Sequence, residues 1–99
     1  VVSRPTSEQV IFDAGFKSLP VWLYEPQPVG LPGATTYKTS AEHGKVILDP
    51  PSDCPQIGEA FDFIPSYTDH TLFLYNEIYG VRNGIVETVW PISAWGKLR

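Results

Sequence analysis

Methionine is missing from the sequence altogether. A chain read from its own start codon begins with that residue, so the opening VVSRP is expected to be a trimmed end or an excised piece of a longer protein. Cysteine is nearly missing as well, with Cys54 alone. A small secreted domain would carry several paired cysteines, so a reducing cytoplasm is the expected location. Cys54 lies in SDCPQ with no base indicated near it, which makes it a free loop thiol and not a nucleophile. No apolar run approaches the roughly 20 residues that a membrane-crossing helix needs, and the N-terminus lacks the apolar core of a signal peptide. Charge of one sign is nowhere concentrated. The net charge is -4 and acidic and basic residues are mixed, so there is no basic stripe and no nucleic acid partner is expected. No glycine pattern of the kind that cradles a phosphate is present either.

What remains is compact and rich in aromatics. The 99 residues suffice for a single domain over 1–99, with a modest core. Hydrophobic residues make up 42% and aromatics 13%, enough to pack and to exclude disorder despite ten prolines. Gln9–Gly15 reads as a strand closed by glycine, and Lys45–Asp49 as another. Ala60–Ile64 alternates apolar with polar, as a half-buried strand does. Residues 26–36, PQPVGLPGATT, sustain neither a helix nor a central strand and are expected to be an ordered loop. At the end, NEIYGV and IVETVWPI flank Asn83-Gly84, the dipeptide that suits a type I′ hairpin turn. Pro91 places the second arm at an edge or a bend. No segment keeps a helical period, and the stretch near Thr71–Asn76 allows one helical turn at most. The fold class is all-β, a small barrel or sandwich of about six short strands with a C-terminal hairpin.

Three polar knots interrupt this pattern. The first is Asp13-Ala14-Gly15-Phe16-Lys17, either a salt-bridged turn or a place where other backbone comes close to Gly15. The second is Glu42-His43-Gly44, either a turn ahead of the strand KVILD or a pair in which the carboxylate orients the imidazole. The third is Ser66-Tyr67-Thr68-Asp69-His70, which follows Pro65. A carboxylate and an imidazole are zinc or manganese ligands. Sequence neighbours on a strand, however, point to opposite faces, and a solvated turn accounts for the composition equally well. Trp22, Trp90 and Trp95 read as core or interface anchors.

In order and spacing, IFDAGFKSL, SAEHGKVIL and FIPSYTDHTLFLYNEIYGVRNGIVETVWPISAWGK resemble the C-terminal domain of the D-threonine aldolase and D-serine dehydratase family. The resemblance runs from about Gln9 to Lys97, and the proline-rich middle is its least matched part. It implies an alanine-racemase-like architecture. An N-terminal TIM-like barrel, absent here, would hold pyridoxal phosphate on a lysine. The β-domain would close the active site against that barrel, often within a homodimer, and a divalent metal would help to bind the substrate hydroxyl. The resemblance places Tyr67, Glu42, His43 and His70 at the substrate pocket and Asp69 at a metal-ligand position, with no catalytic residue in this chain. Family members carry Pro-x-His-x-Cys or Pro-x-His-x-Asp where this chain has Pro65-Ser66-Tyr67-Thr68-Asp69. Tyr67 thus stands in for the histidine ligand, and a phenol with a pKa near 10 is a poor ligand at neutral pH. Ala41 replaces an acidic residue before Glu42-His43. The zinc or manganese site therefore reads as eroded. The expected function is that of the closing domain of a pyridoxal-phosphate-dependent aldolase, dehydratase or racemase acting on D- or β-hydroxy amino acids, inactive without its barrel. The alternative is a stand-alone β module that binds a small ligand or a protein, with the family's chemistry lost.

Overall fold

The computed structural model describes residues 1–97. Its strands are β1 (Ser3–Thr6), β2 (Gln9–Phe12), β3 (Gln27–Pro28), β4 (Ala34–Thr39), β5 (Gly44–Leu48), β6 (Phe63–Ile64), β7 (Glu77–Arg82) and β8 (Ile85–Pro91), with one short helix, α1 (Thr68–Leu72), before β7. The chain divides into two compact units, Val1–Tyr67 and a second that begins at Thr68. The all-β class holds. Among the described residues the strands form three open sheets, in the orders β1-β2-β5-β4, β3-β6 and β7-β8, with no closed barrel.

The four-stranded sheet is the frame of the first unit. Alternation decides its inner face: Val10 and Phe12 on β2, Tyr37 on β4, and Val46 and Leu48 on β5 are buried, while their neighbours are not. Register brings these residues together, with Val10 opposite Val46, Tyr37 opposite Val46 and Phe12 opposite Gly44. Leu19 and Leu31 complete the core, and Phe61 and Phe63 pack on it. Phe63 meets Phe12 and Tyr37 edge-on, with ring centroids 5.1 and 5.7 Å apart, the geometry that aromatic quadrupoles favour.

Two readings of the sequence change here. β4 begins inside the segment expected to be loop, at Ala34. It is the edge of its sheet, where prolines just upstream remove no ladder bond. The strand expected over Ala60–Ile64 shrinks to Phe63–Ile64. Its partner β3 has Pro28 and is two residues long, so only Val29, whose amide reaches the Asp62 carbonyl at 2.8 Å, extends the pairing.

The second unit is a helical turn and a hairpin. α1 lies a little ahead of the expected turn, and bonds from Leu74 to Thr71 and from Tyr75 to Leu72 extend it to the following residues. The hairpin turns at Asn83 (φ 50°) and Gly84 (φ 75°), the paired positive angles that a type I′ turn demands. A bulge between Gly80 and Val81 sets Glu87 out of register. Pro91 closes β8 opposite Glu77.

Candidate functional site

The first two polar knots form one structure. Residues 40–43 are the loop of the β4–β5 hairpin, closed by the Ser40 amide donating to the His43 carbonyl at 2.8 Å. Ser40 Oγ accepts from the His43 amide at 3.2 Å. The segment after β2 lies against this loop. The Phe16 amide donates to the Ser40 carbonyl at 2.9 Å and the Lys17 amide to the Ala41 carbonyl at 3.1 Å. Gly15 makes this approach possible: a Cβ there would lie 2.5 Å from the Ala41 oxygen and would overlap the Glu42–His43 peptide. Of the two accounts of Gly15, the close approach of other backbone is the one found.

Lys17 forms an ion pair across the contact with Glu42. That carboxylate therefore takes Lys17 as its partner, and Asp13 is not the lysine's counter-charge. Both side chains are well exposed, so the pair adds little stability. From the inner face, the Tyr37 hydroxyl donates to the Ala14 carbonyl. A Cβ on Gly44 would overlap the Tyr37 ring and lie 2.6 Å from the Ala14 oxygen, so glycine here makes room for the tyrosine. Burial pushes the Tyr37 hydroxyl up to about 12. His43 borders a hollow of about 320 Å³ that Ile11, Lys38, Ser40 and Lys45 also line. A larger one, about 570 Å³, lies elsewhere in the unit, between Glu25, Leu31 and Tyr37. Size alone therefore does not mark the site.

The third knot is split between the units. Ser66 is buried; its Oγ donates to the Pro20 carbonyl at 2.8 Å and accepts from the Trp22 amide at 3.1 Å. This pins the chain at Tyr67, whose ring stacks on Trp22 with centroids 6.0 Å apart and planes 27° apart. Asp69 and His70 are neighbours on α1 in the second unit. Among the described residues no group of three or more His, Cys, Asp or Glu side chains is placed to hold a metal ion. Among the lysines, Lys17 is paired with Glu42, and Lys38 and Lys45 stand directly opposite each other on β4 and β5.

Sequence reasoning missed Tyr37, and it singled out Lys17 and Ser66 without their partners, Glu42 for the first and Pro20 and Trp22 for the second. Tyr37 sits in a segment that the sequence does not mark as strand, and no local pattern announces a partner some 20 residues away. The signal that was present is the pair of glycines, Gly15 and Gly44, each next to a polar knot.

Residues 1–81 match the serine dehydratase domain family. The chain is 38% identical over 97% of its length to a D-threonine aldolase of an Arthrobacter species, and 33% identical over 98% to a 3-hydroxy-D-aspartate aldolase of Paracoccus denitrificans. The chain belongs to this family. The crystal structure of D-threonine aldolase from Filomicrobium marinum superposes on all of it with a TM-score of 0.87 at 35% identity. The chain spans only about a quarter of these relatives, 25%, 24% and 27% of their lengths.

Proposed function

We propose that this serine dehydratase-family domain is the C-terminal closing piece of a pyridoxal-phosphate-dependent enzyme that acts on D- or β-hydroxy amino acids. The likeness to aldolases over nearly the whole chain, at a quarter of their length, carries the reading. The remainder of such a protein would supply the barrel and the lysine. Pyridoxal phosphate bound there would provide the electron sink for cleavage or deprotonation at Cα.

The part left to this chain is positional. The loop carrying Glu42 and His43 is braced on two sides, as residues facing a reaction centre need to be. Tyr67 is held by Ser66 and by its stacking on Trp22. His43, Glu42 and Tyr67 of the first unit would line the substrate pocket and orient the amino acid. The described residues of the second unit bury no side chain while offering Ile78, Tyr79, Val81, Val89 and Trp90. Such a surface suits a contact with the barrel or with a second subunit of a dimer. The single cysteine keeps a reducing cytoplasm as the proposed setting.

The test is turnover by the whole protein loaded with pyridoxal phosphate. D-threonine is expected to yield glycine and acetaldehyde, whereas residues 1–99 alone yield neither. Absence of any reaction with D-threonine, D-serine or another D-β-hydroxy amino acid would overturn the proposal and favour the stand-alone binding module. Bound zinc and manganese, measured after dialysis, are expected below one equivalent per chain. A full equivalent that disappears in Asp69→Ala would return Asp69 to the ligand role.

A further inference from the structure

We infer that Gly15 and Tyr37 are positioning residues for His43, acting on it through the backbone of the β4–β5 loop. The inference rests on the reading of His43 as a pocket residue. A four-residue hairpin loop is mobile unless something holds it. This one is held from two sides. The amides of Phe16 and Lys17 fasten the carbonyls of Ser40 and Ala41, which leaves the loop two fixed points just ahead of His43. The segment that supplies those amides is itself fixed. The Gly15 carbonyl accepts from the amides of Ser18 and Leu19 at 3.0 and 2.8 Å, and the Ala14 carbonyl accepts from the Tyr37 hydroxyl. Tyr37 belongs to β4, which leads directly into the loop. The chain thus forms a closed circuit: β4 holds Ala14, Ala14 leads to Gly15, Gly15 lies flat on the Glu42–His43 peptide, and that loop returns to β4.

The circuit contains no slack at Gly15. Ordinary contact begins at 3.4 Å, and a methyl group at residue 15 would sit 2.5 Å from the Ala41 oxygen and closer still to the peptide nitrogen of His43. Relieving that overlap shifts the loop by about 1 Å, enough to cost on the order of 100-fold where geometry matters to a reaction. The space, and not a special backbone angle, is what glycine supplies. Tyr37→Phe makes the milder change. It leaves the ring in place and removes only the hydroxyl that holds Ala14.

The experiment is a pair of double-mutant cycles on the whole, cofactor-loaded enzyme with D-threonine, reading kcat/KM for Gly15→Ala, Tyr37→Phe, His43→Ala and the two combinations that include His43→Ala. Gly15→Ala is expected to lower kcat/KM at least tenfold and Tyr37→Phe a few-fold, with neither loss remaining once His43 is alanine. Losses that persist undiminished without His43 would show that Gly15 and Tyr37 act elsewhere, and would overturn the inference while leaving the pocket reading intact. Full activity in His43→Ala would overturn the pocket reading and the positioning role with it. If Gly15→Ala does not fold, Tyr37→Phe and its combination with His43→Ala decide the matter alone.

Discussion

The first unit has a buried hydrophobic core of seven side chains, from Val10 to Leu48, whereas no described residue of the unit beginning at Thr68 is buried. Apolar content does not explain the contrast. The second unit carries Phe73, Leu74, Ile78, Tyr79, Val81, Ile85, Val86, Val89, Trp90 and Trp95, all exposed. Geometry explains it. The first unit has a sheet of four strands and a short ribbon whose Phe63 reaches the same core, so inward-pointing residues find partners. The second has one hairpin, and two strands enclose nothing. Cross-strand register puts Tyr79, Val81, Val86 and Val89 on one face and Ile78, Ile85 and Trp90 on the other. A hairpin made for water keeps one face polar. This one carries large apolar side chains on both faces, with Arg82 and Thr88 on the face of Ile78, Ile85 and Trp90.

Truncation is the sharpest way to test that contrast. Leu48 is 1% exposed, and Leu48→Ala is expected to destabilise the first unit by about 3 kcal/mol, through lost transfer energy and the cavity left behind. Val81→Ala in the hairpin should cost less than about 0.5 kcal/mol, since Val81 is 61% exposed. Urea unfolding followed residue by residue by NMR reads both. Equal losses would break the comparison and show that Val81 is covered in solution by something other than its own hairpin.

In the first unit β2 and β5 were legible because their apolar runs, Val10-Ile11-Phe12 and Val46-Ile47-Leu48, favour strands. In the second, Asn83-Gly84 announced its turn through an intrinsic backbone preference. β1 and β4 were not legible as strands. β1 leans on Arg4, whose role depends on carbonyls that no sequence pattern displays. β4 is rich in threonine and lies next to prolines that point to a loop. The site was half legible. Gly15 marked a close approach and Gly44 read as a turn, and the groups the two glycines approach, the Glu42–His43 peptide and the Tyr37 ring, are set by register across three strands. The splitting of Tyr67 from Asp69 between two units was invisible, because nothing in Tyr67-Thr68-Asp69 marks a boundary.

A second test sets the two arginines against each other. Arg4 donates to the carbonyls of Gln9 at 3.0 Å, Ser7 at 3.2 Å, Ser52 at 2.5 Å and Pro55, tying β1 and β2 to the loop after β5. Arg4→Ala leaves those acceptors without their charged donor and is expected to cost about 2 kcal/mol. Arg82 pairs with Glu87 at 3.1 Å, and both side chains are largely exposed. Arg82→Ala is expected to cost less than about 0.5 kcal/mol, and adding 1 M salt should erase most of that difference while leaving the Arg4 effect in place.

The smallest expected effect separates the two units by pH. Tyr37, in the core, has its hydroxyl pushed up to about 12 by burial, while Tyr79 on the hairpin is raised chiefly by its hydrogen bond to Glu77 and by that carboxylate's charge. A phenol whose pKa is higher in the folded chain contributes its full stability below the unfolded value near 10. It loses that contribution as pH rises through 12, because the unfolded chain gives up its proton first. The first unit should therefore weaken between pH 10 and 12. Tyr37→Phe, which lowers stability by about 1 kcal/mol at neutral pH by stranding the Ala14 carbonyl, should remove that decline, and Tyr79→Phe should not. If the decline survives Tyr37→Phe, the buried hydroxyl is not what the first unit loses in alkali, and the brace between β4 and Ala14 is weaker than its geometry implies.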